Sequence, residues 1–333
     1  MTYNPGFMTA SELLANMAGM RVLVVGDICL DRWCHYNPAL SIPSRETGIP
    51  RIAVASTENT PGAAGTVAVN LRALGVKEVT VLGAIGDDGH GYELRQALAQ
   101  CGIGADLLVT EPGFATFTYS KLLNTNLGIE DLPRVDFINT TALPANLEER
   151  ICSMLDAARD FDVICVSDQA ETDQGGVVTA RVRQRLADLA AKHNQLVWVD
   201  SRRRIEQFEG AVLKVNQDEA AEARGRSGVG SLGELRDNVK APALFVTHSG
   251  NGIQIFNDDG ETWVMTHKIL DPVDVCGAGD SFTAGAACAL AAGATVEAAA
   301  RLGHLVASVT IMKSGTGFAL PAELLEAERE LNQ

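Results

Sequence analysis

The 333-residue chain contains no Gly-Lys pair, so it has no Walker A loop and no phosphate site of that kind. It contains no Cys-x-x-Cys and no His-Glu-x-x-His, and its six histidines show no convergent spacing. Those gaps remove the usual zinc frameworks. Positive charge is scarce: 27 Lys and Arg stand against 42 Asp and Glu, a formal net charge of −15. No basic stripe is left to displace counterions, which argues against a nucleic-acid partner. An anionic substrate would need a local positive site. Long apolar runs are also missing, so no segment reads as a membrane span. Residues 1–20 lack the basic start and apolar core of a secretion signal. The seven cysteines (29, 34, 101, 152, 165, 276 and 288) are odd in number and scattered, as expected in a reducing compartment. Together these absences point to a cytoplasmic protein without a membrane or nucleic-acid partner.

What is present is an ordinary globular composition, 46% hydrophobic and 21% charged. The length suits one large α/β domain or two smaller ones. The first half reads as helix 9–19, strand 21–26, a proline-rich excursion over 32–61, helix 62–75, strand 79–83 and helix 92–101. Extended segments at 104–109, 115–123 and 134–138 follow. From residue 144 the alternation is regular, with helices at 144–159, 176–193, 217–224 and 231–239. Strands at 163–167, 196–200, 212–215 and 244–247 lie between them. A hairpin over 252–267 and helices at 281–292, 295–312 and 321–331 close the chain. Continuous apolar strands alternating with helices predict a mostly parallel sheet covered on both faces. Ligands bind such sheets at the carboxyl ends of the strands, where Asp27, Asp168, Asp200, Asn216 and Thr247 all fall.

The most informative stretch is Asp274-Val-Cys-Gly-Ala-Gly-Asp280, followed by a helix of small residues. Gly277, Ala278 and Gly279 let backbone N–H groups approach a ligand closely. They precede a helix N-terminus, which favours an anion. Asp280 sits at the same point and is placed to accept a proton from an attacking hydroxyl; the structural alternative is an Asp N-cap behind a glycine turn. Asn216 and Glu219, three apart on a first helical turn, can organise a hydrated Mg²⁺ that bridges phosphates. The same pair also reads as a capping box. Asp27 and Asp31 follow the first strand, where a carboxylate can accept from vicinal hydroxyls or serve as a turn residue. Gly228-Val-Gly-Ser-Leu-Gly233 lacks a preceding strand and reads as a loop between helices.

Five ordered segments resemble the ribokinase-like (PfkB) carbohydrate kinases. They are Gly26-Asp-Ile-Cys-Leu-Asp31, Pro61-Gly-Ala-Ala-Gly-Thr-Val-Ala-Val-Asn70, Val215-Asn-Gln-Asp-Glu219, Val246-Thr-His-Ser-Gly-Asn-Gly252 and Asp274 to Gly285. Within that family the resemblance is to the heptose-phosphate kinases of ADP-heptose synthesis, carried by Leu30-Asp-Arg32, Arg134-Val-Asp136, Val166-Ser-Asp168 and Lys313-Ser-Gly-Thr316. It implies a three-layer α/β/α fold with a mostly parallel central sheet. Residues 1–333 would be one kinase domain, with lid segments near 32–61 and 112–138. It implies an ATP-dependent kinase that phosphorylates a hydroxyl of a sugar or sugar phosphate, a heptose 7-phosphate among the candidates. Asp280 would be the base and Gly277, Ala278 and Gly279 the anion hole. Asn216 and Glu219 would organise Mg²⁺ through water and phosphate. Thr247, Ser249, Gly252 and Gly279 would line the nucleotide. Asp31, Gly62, Ala63, Thr66 and Asp168 would face the acceptor. The implied cofactors are ATP and Mg²⁺, with a monovalent cation as an open option, and the implied assembly is a homodimer through the lid.

The chain departs from the family at the acceptor end. Ala63 replaces a usual glycine and Thr66 a usual asparagine, which alters hydrogen-bonding capacity. In the heptose branch a Lys-Gly commonly follows Ser-Asp-Tyr, whereas Ser167-Asp-Gln-Ala-Glu171 lacks that positive group and carries an acid. Arg202, Arg203 or Arg204 would then have to supply positive charge. Two rival readings stay open: a non-catalytic regulator that binds nucleotide or sugar phosphate, and a nucleoside kinase of the same superfamily.

Overall fold

The computed structural model describes residues 8–170, 172 and 174–331. Glu171, the acid substituted in the acceptor loop, lies outside the described residues. The chain opens with α1 (Ala10–Met17), whose N-cap Thr9 and Glu12 form a reciprocal capping box. β1 (Arg21–Gly26) then enters the core as a continuous apolar strand. The excursion follows as β2 (Ile28–Tyr36) and β3 (Val54–Ala63), starting earlier than the expected residue 32. The chain returns through α2 (Ala64–Ala73), β4 (Glu78–Gly86), α3 (Gly89–Gln100) and β5 (Gly104–Glu111). It leaves again for β6 (Thr118–Asn124), β7 (Ile129–Glu130) and β8 (Val135–Phe137).

Regular alternation then begins. α4 (Ala145–Ala157), β9 (Val163–Asp168), α5 (Ala180–His193), β10 (Val197–Ser201) and β11 (Val212–Asn216) follow in order. Next come α6 (Gln217–Ser227), α7 (Leu232–Asn238) and β12 (Leu244–Thr247). The hairpin is β13 (Ile253–Asn257) and β14 (Gly260–Val264), ending short of the expected residue 267. α8 (Ala278–Ala291), α9 (Val296–Thr310) and α10 (Pro321–Leu331) complete the fold.

The main sheet has nine strands in the order β14-β13-β12-β11-β10-β9-β1-β4-β5, parallel except at the β13–β14 edge. Alternate residues of each strand feed two cores. Val22 and Val24 of β1 pack with α8 and α9, while Leu23 and Val25 pack with α4 and α5. That is a three-layer α/β/α arrangement. The register Gly26↔Ser167, Asp200↔Ser167 and Asn216↔Thr247 aligns the carboxyl ends of β1, β9, β10, β11 and β12 along one edge. The second sheet, β3-β2-β6-β7 with β8 on β6, stands over that edge as a lid. The loop Gly228–Ser231 connects α6 to α7, Ser231 caps the second helix, and Gly233 falls in its first turn.

Candidate active site

At the start of α8 the turn is held from below. The Asp274 carboxylate accepts N–H bonds from Cys276 at 2.9 Å and Gly315 at 3.1 Å. Gly277 is the N-cap, with φ of 78°, a conformation that suits glycine. The helix begins at Ala278, ahead of the expected residue 281. The Ala278 N–H donates to the Val275 carbonyl at 3.2 Å and closes the turn. Ala278 is therefore withdrawn from the expected anion hole. The N–H groups of Gly277, Gly279 and Asp280 have no acceptor among the described residues. Open N–H groups at a helix N-terminus are suited to receive an anion. Asp280 is half-buried in the first turn, and burial pushes its carboxyl up to about 7. Asp200 adds to that shift, while Lys214 and Arg202 oppose it. A carboxylate near neutrality is suited to general-base work.

Lys214 did not figure among the residues expected at the site. It lies on β11, two residues beyond Val212, on the face toward α8. Its side chain is 5% exposed, and Nζ lies 2.6 Å from Asp200 Oδ2. Burial works against the ammonium, yet Asp200, Glu219 and Asp280 together outweigh it and keep the pKa raised. The available signal was a lysine inside an otherwise apolar strand. Beside it, Asn216 caps α6: its Oδ1 accepts from Asp218 and Glu219 N–H at 3.0 and 2.9 Å. Glu219 Oε2 accepts from the Asn216 N–H at 2.8 Å, so the capping-box reading is realised. Burial, then Asp200, raises the Glu219 pKa. With these oxygens engaged, the pair fits Mg²⁺ through water and phosphate. No cluster of three or more metal-binding side chains occurs among the described residues.

The other residues expected at the acceptor end gather where the second sheet meets α2. Asp31 of β2 is paired across the small sheet with Thr60 and Tyr119. Burial raises its pKa to about 6, opposed by Lys121 and Arg134. Gly62 is packed so closely that a Cβ there would overlap the Asp31 carboxylate. Ala63, the α2 N-cap, takes φ of 51° and ψ of −119°, a strained geometry for a residue with a side chain. The Thr66 hydroxyl donates to the Pro61 carbonyl at 3.3 Å, and its methyl faces Gly277. Lys121 of β6 stacks over Trp33 at 4.3 Å and reaches Cys276 Sγ at 3.7 Å, joining the lid to the catalytic turn.

Asp168, expected to face the acceptor, is instead engaged inside the fold. It is 1% exposed, pairs with the Arg204 guanidinium through both oxygens, and accepts from Ser201 Oγ at 2.6 Å. Its capacity is spent on an internal ion pair, which also removes Arg204 as a source of free charge. Arg202 stands near enough to Asp280 and Glu219 to lower both pKa values. Asp27 is likewise internal: its oxygens accept from the Gln169 and Val177 N–H groups at 2.9 and 2.8 Å. That clamp ties Gln169 and Val177 to the end of β1, and α5 starts at Ala180, capped by Thr179, rather than at 176.

On the other side, Thr247 ends β12 and donates to the Val215 carbonyl at 3.4 Å. Ser249 and Gly252 turn the chain with φ of 52° and 114°. His248, just before Ser249, packs on Trp263 at 4.8 Å. A family model for pfkB family carbohydrate kinases matches residues 21–323. The chain belongs to that family. It is 30% identical over 326 residues to the bifunctional protein HldE of Trichlorobacter lovleyi, covering 95% of this chain and 64% of that one. Against the bifunctional protein HldE of Rhodopseudomonas palustris (strain BisB18) it is 34% identical over 315 residues, covering 91% and 62%. It thus spans less than two thirds of the length of these curated relatives. Among solved structures it is similar to phosphofructokinase-2 from Escherichia coli in complex with potassium, with a TM-score of 0.72, 16% identity, and 94% and 100% of the two chains covered. Arabidopsis thaliana ribokinase complexed with ribose and ATP gives a TM-score of 0.68, 17% identity, and 93% and 98% coverage. The chain is thus a member of the pfkB family of carbohydrate kinases and takes a ribokinase-like fold.

Proposed function

We propose that this kinase transfers the γ-phosphoryl group of ATP to a sugar-phosphate hydroxyl, with heptose 7-phosphate the first acceptor to test. One observation carries the reading: Asp280 stands beside three open N–H groups at the α8 N-terminus, with Asp31 across from it under the lid. Asp31 would bind acceptor hydroxyls and orient one of them. Asp280 would take that hydroxyl's proton as its oxygen attacks phosphorus. The N–H groups of Gly277, Gly279 and Asp280 would hold the equatorial oxygens, where charge is spread in a loose transfer. Asn216 and Glu219 would position hydrated Mg²⁺, which neutralises phosphate charge when bound. Thr247, Ser249 and Gly252 would line the nucleotide. Positive charge for an acceptor phosphate would come first from Lys121, which acts on Asp31, since Arg134 is committed to Asp136 and Arg204 to Asp168. Two relatives bear the name HldE, which supports the heptose branch.

Leu40, Ile42, Ile49, Ile52 and Phe137 leave an exposed apolar surface on the lid region. A second copy of the chain would cover it, giving a homodimer. Light scattering at micromolar concentration tests this; a monomer there contradicts it. For the reaction, ADP release is measured with heptose 7-phosphate, hexoses, hexose phosphates and ribose. One acceptor should drive turnover well above the ATPase background. Nucleotide binding with no acceptor-dependent release would favour the regulator instead.

A further inference from the structure

Asp200, Glu219 and Asp280 all act on one buried ammonium, Lys214. Its other charged neighbourhood is Arg202, which acts on Glu219 and Asp280. Gly279 explains how Lys214 reaches them. A Cβ at that position would lie 2.8 Å from Nζ, so the missing side chain opens the space the ammonium occupies. The second glycine of the turn therefore admits a cation from below and leaves its N–H open above.

A structural ion pair with Asp200 would not need this placement. Apolar replacements of a buried pair are often equally stable. Three carboxylates around an anion-binding turn would, without a cation, repel a phosphate. Lysine is a compact point charge, suited to a gap the width of an absent methyl group.

We propose that Lys214 is a working cation of the phosphoryl-transfer site, seated under Gly279 to attract the bound anion and to hold Glu219 and Asp280 beside it. The proposal rests on the kinase reading, and it extends that reading to a residue on the β11 strand. Asp200 is then a positioning residue that fixes the ammonium at 2.6 Å.

The test compares Asp200→Asn, Lys214→Met and the double variant. Lys214→Met alone leaves Asp200 buried without its partner and can fail to fold. The double variant removes the pair together and keeps the question answerable. Mg·ADP affinity is measured by calorimetry, and turnover with the acceptor found by screening. The double variant should fold, bind Mg·ADP about tenfold more weakly or worse, and turn over roughly 10²-fold more slowly, the usual scale for losing a phosphoryl-stabilising group. If it binds and turns over within twofold of wild type, Lys214 served only to neutralise Asp200 and the proposal is overturned. Wild type that binds Mg·ADP without turnover defeats the kinase reading, while the affinity comparison still decides Lys214. A wild-type chain that binds no Mg·ADP overturns both.

Discussion

Replacing Asp280 by Asn should make the protein more stable while disabling it. Burial moves the Asp280 carboxyl from 3.8 to about 7 in the folded chain. Above pH 7 the folded state carries an ionised carboxylate that the unfolded chain solvates better. Below 3.8 both states are protonated and the penalty vanishes. The penalty therefore fades as pH falls through 7, so this group makes wild type more stable on mild acidification. A shift of about 3 units at 1.36 kcal/mol per unit sets an upper bound of about 4 kcal/mol at pH 8. Asp280 keeps some solvent contact, so about 2–4 kcal/mol is the working range. Asn has nearly the same shape and no charge to bury. Urea unfolding at pH 8 should place Asp280→Asn above wild type by that amount. At pH 5.5 the gap should shrink to roughly half, because wild type is then protonated when folded. A gap of zero at pH 8, or one that widens on acidification, would refute the burial argument.

Other residues give separate expectations. Asp168→Ala leaves the Arg204 guanidinium buried without its counter-charge and should cost about 3–5 kcal/mol in urea unfolding. A rise in acceptor KM without loss of stability would instead return Asp168 to the substrate site. Gly62→Ala drives a methyl group into the Asp31 carboxylate. Acceptor KM should rise by about tenfold or more with ATP KM unchanged, given the sensitivity of reactive geometry to small displacements; equal effects on both substrates would place Asp31 outside the acceptor pocket. Ala63→Gly relieves the φ of 51° and should stabilise by about 1 kcal/mol, and a lower unfolding midpoint would show that the lid tolerates alanine without strain.

Elements whose signals are local were legible in the sequence. The strand 21–26 carries five consecutive buried residues and was bounded correctly by Gly26. The hairpin turn and the capped helices at Thr9 and Ser231 carry their own chemistry in a few residues. Boundaries set by distant partners were not legible. α5 begins late, after the Val177 N–H is taken by Asp27, which lies between β1 and β2, 150 residues earlier. Asp168 looked like a ligand at a strand end, and only the fold brings in Arg204 from 36 residues away. Asn216 and Glu219 could be read either way from spacing alone, and the capping bonds are present. Lys214 offered a local anomaly, a charge inside an apolar strand, but its meaning depends on the space left by Gly279.

The central claim is that Asp280 is the base of a phosphoryl transfer. Nucleotide affinity and kcat of Asp280→Asn, measured side by side with wild type on the acceptor that drives ADP release, test it most directly. The account predicts unchanged ATP binding with kcat lowered by roughly 10²–10⁴-fold, the usual contribution of a positioned general base. Turnover near the wild-type rate would contradict it.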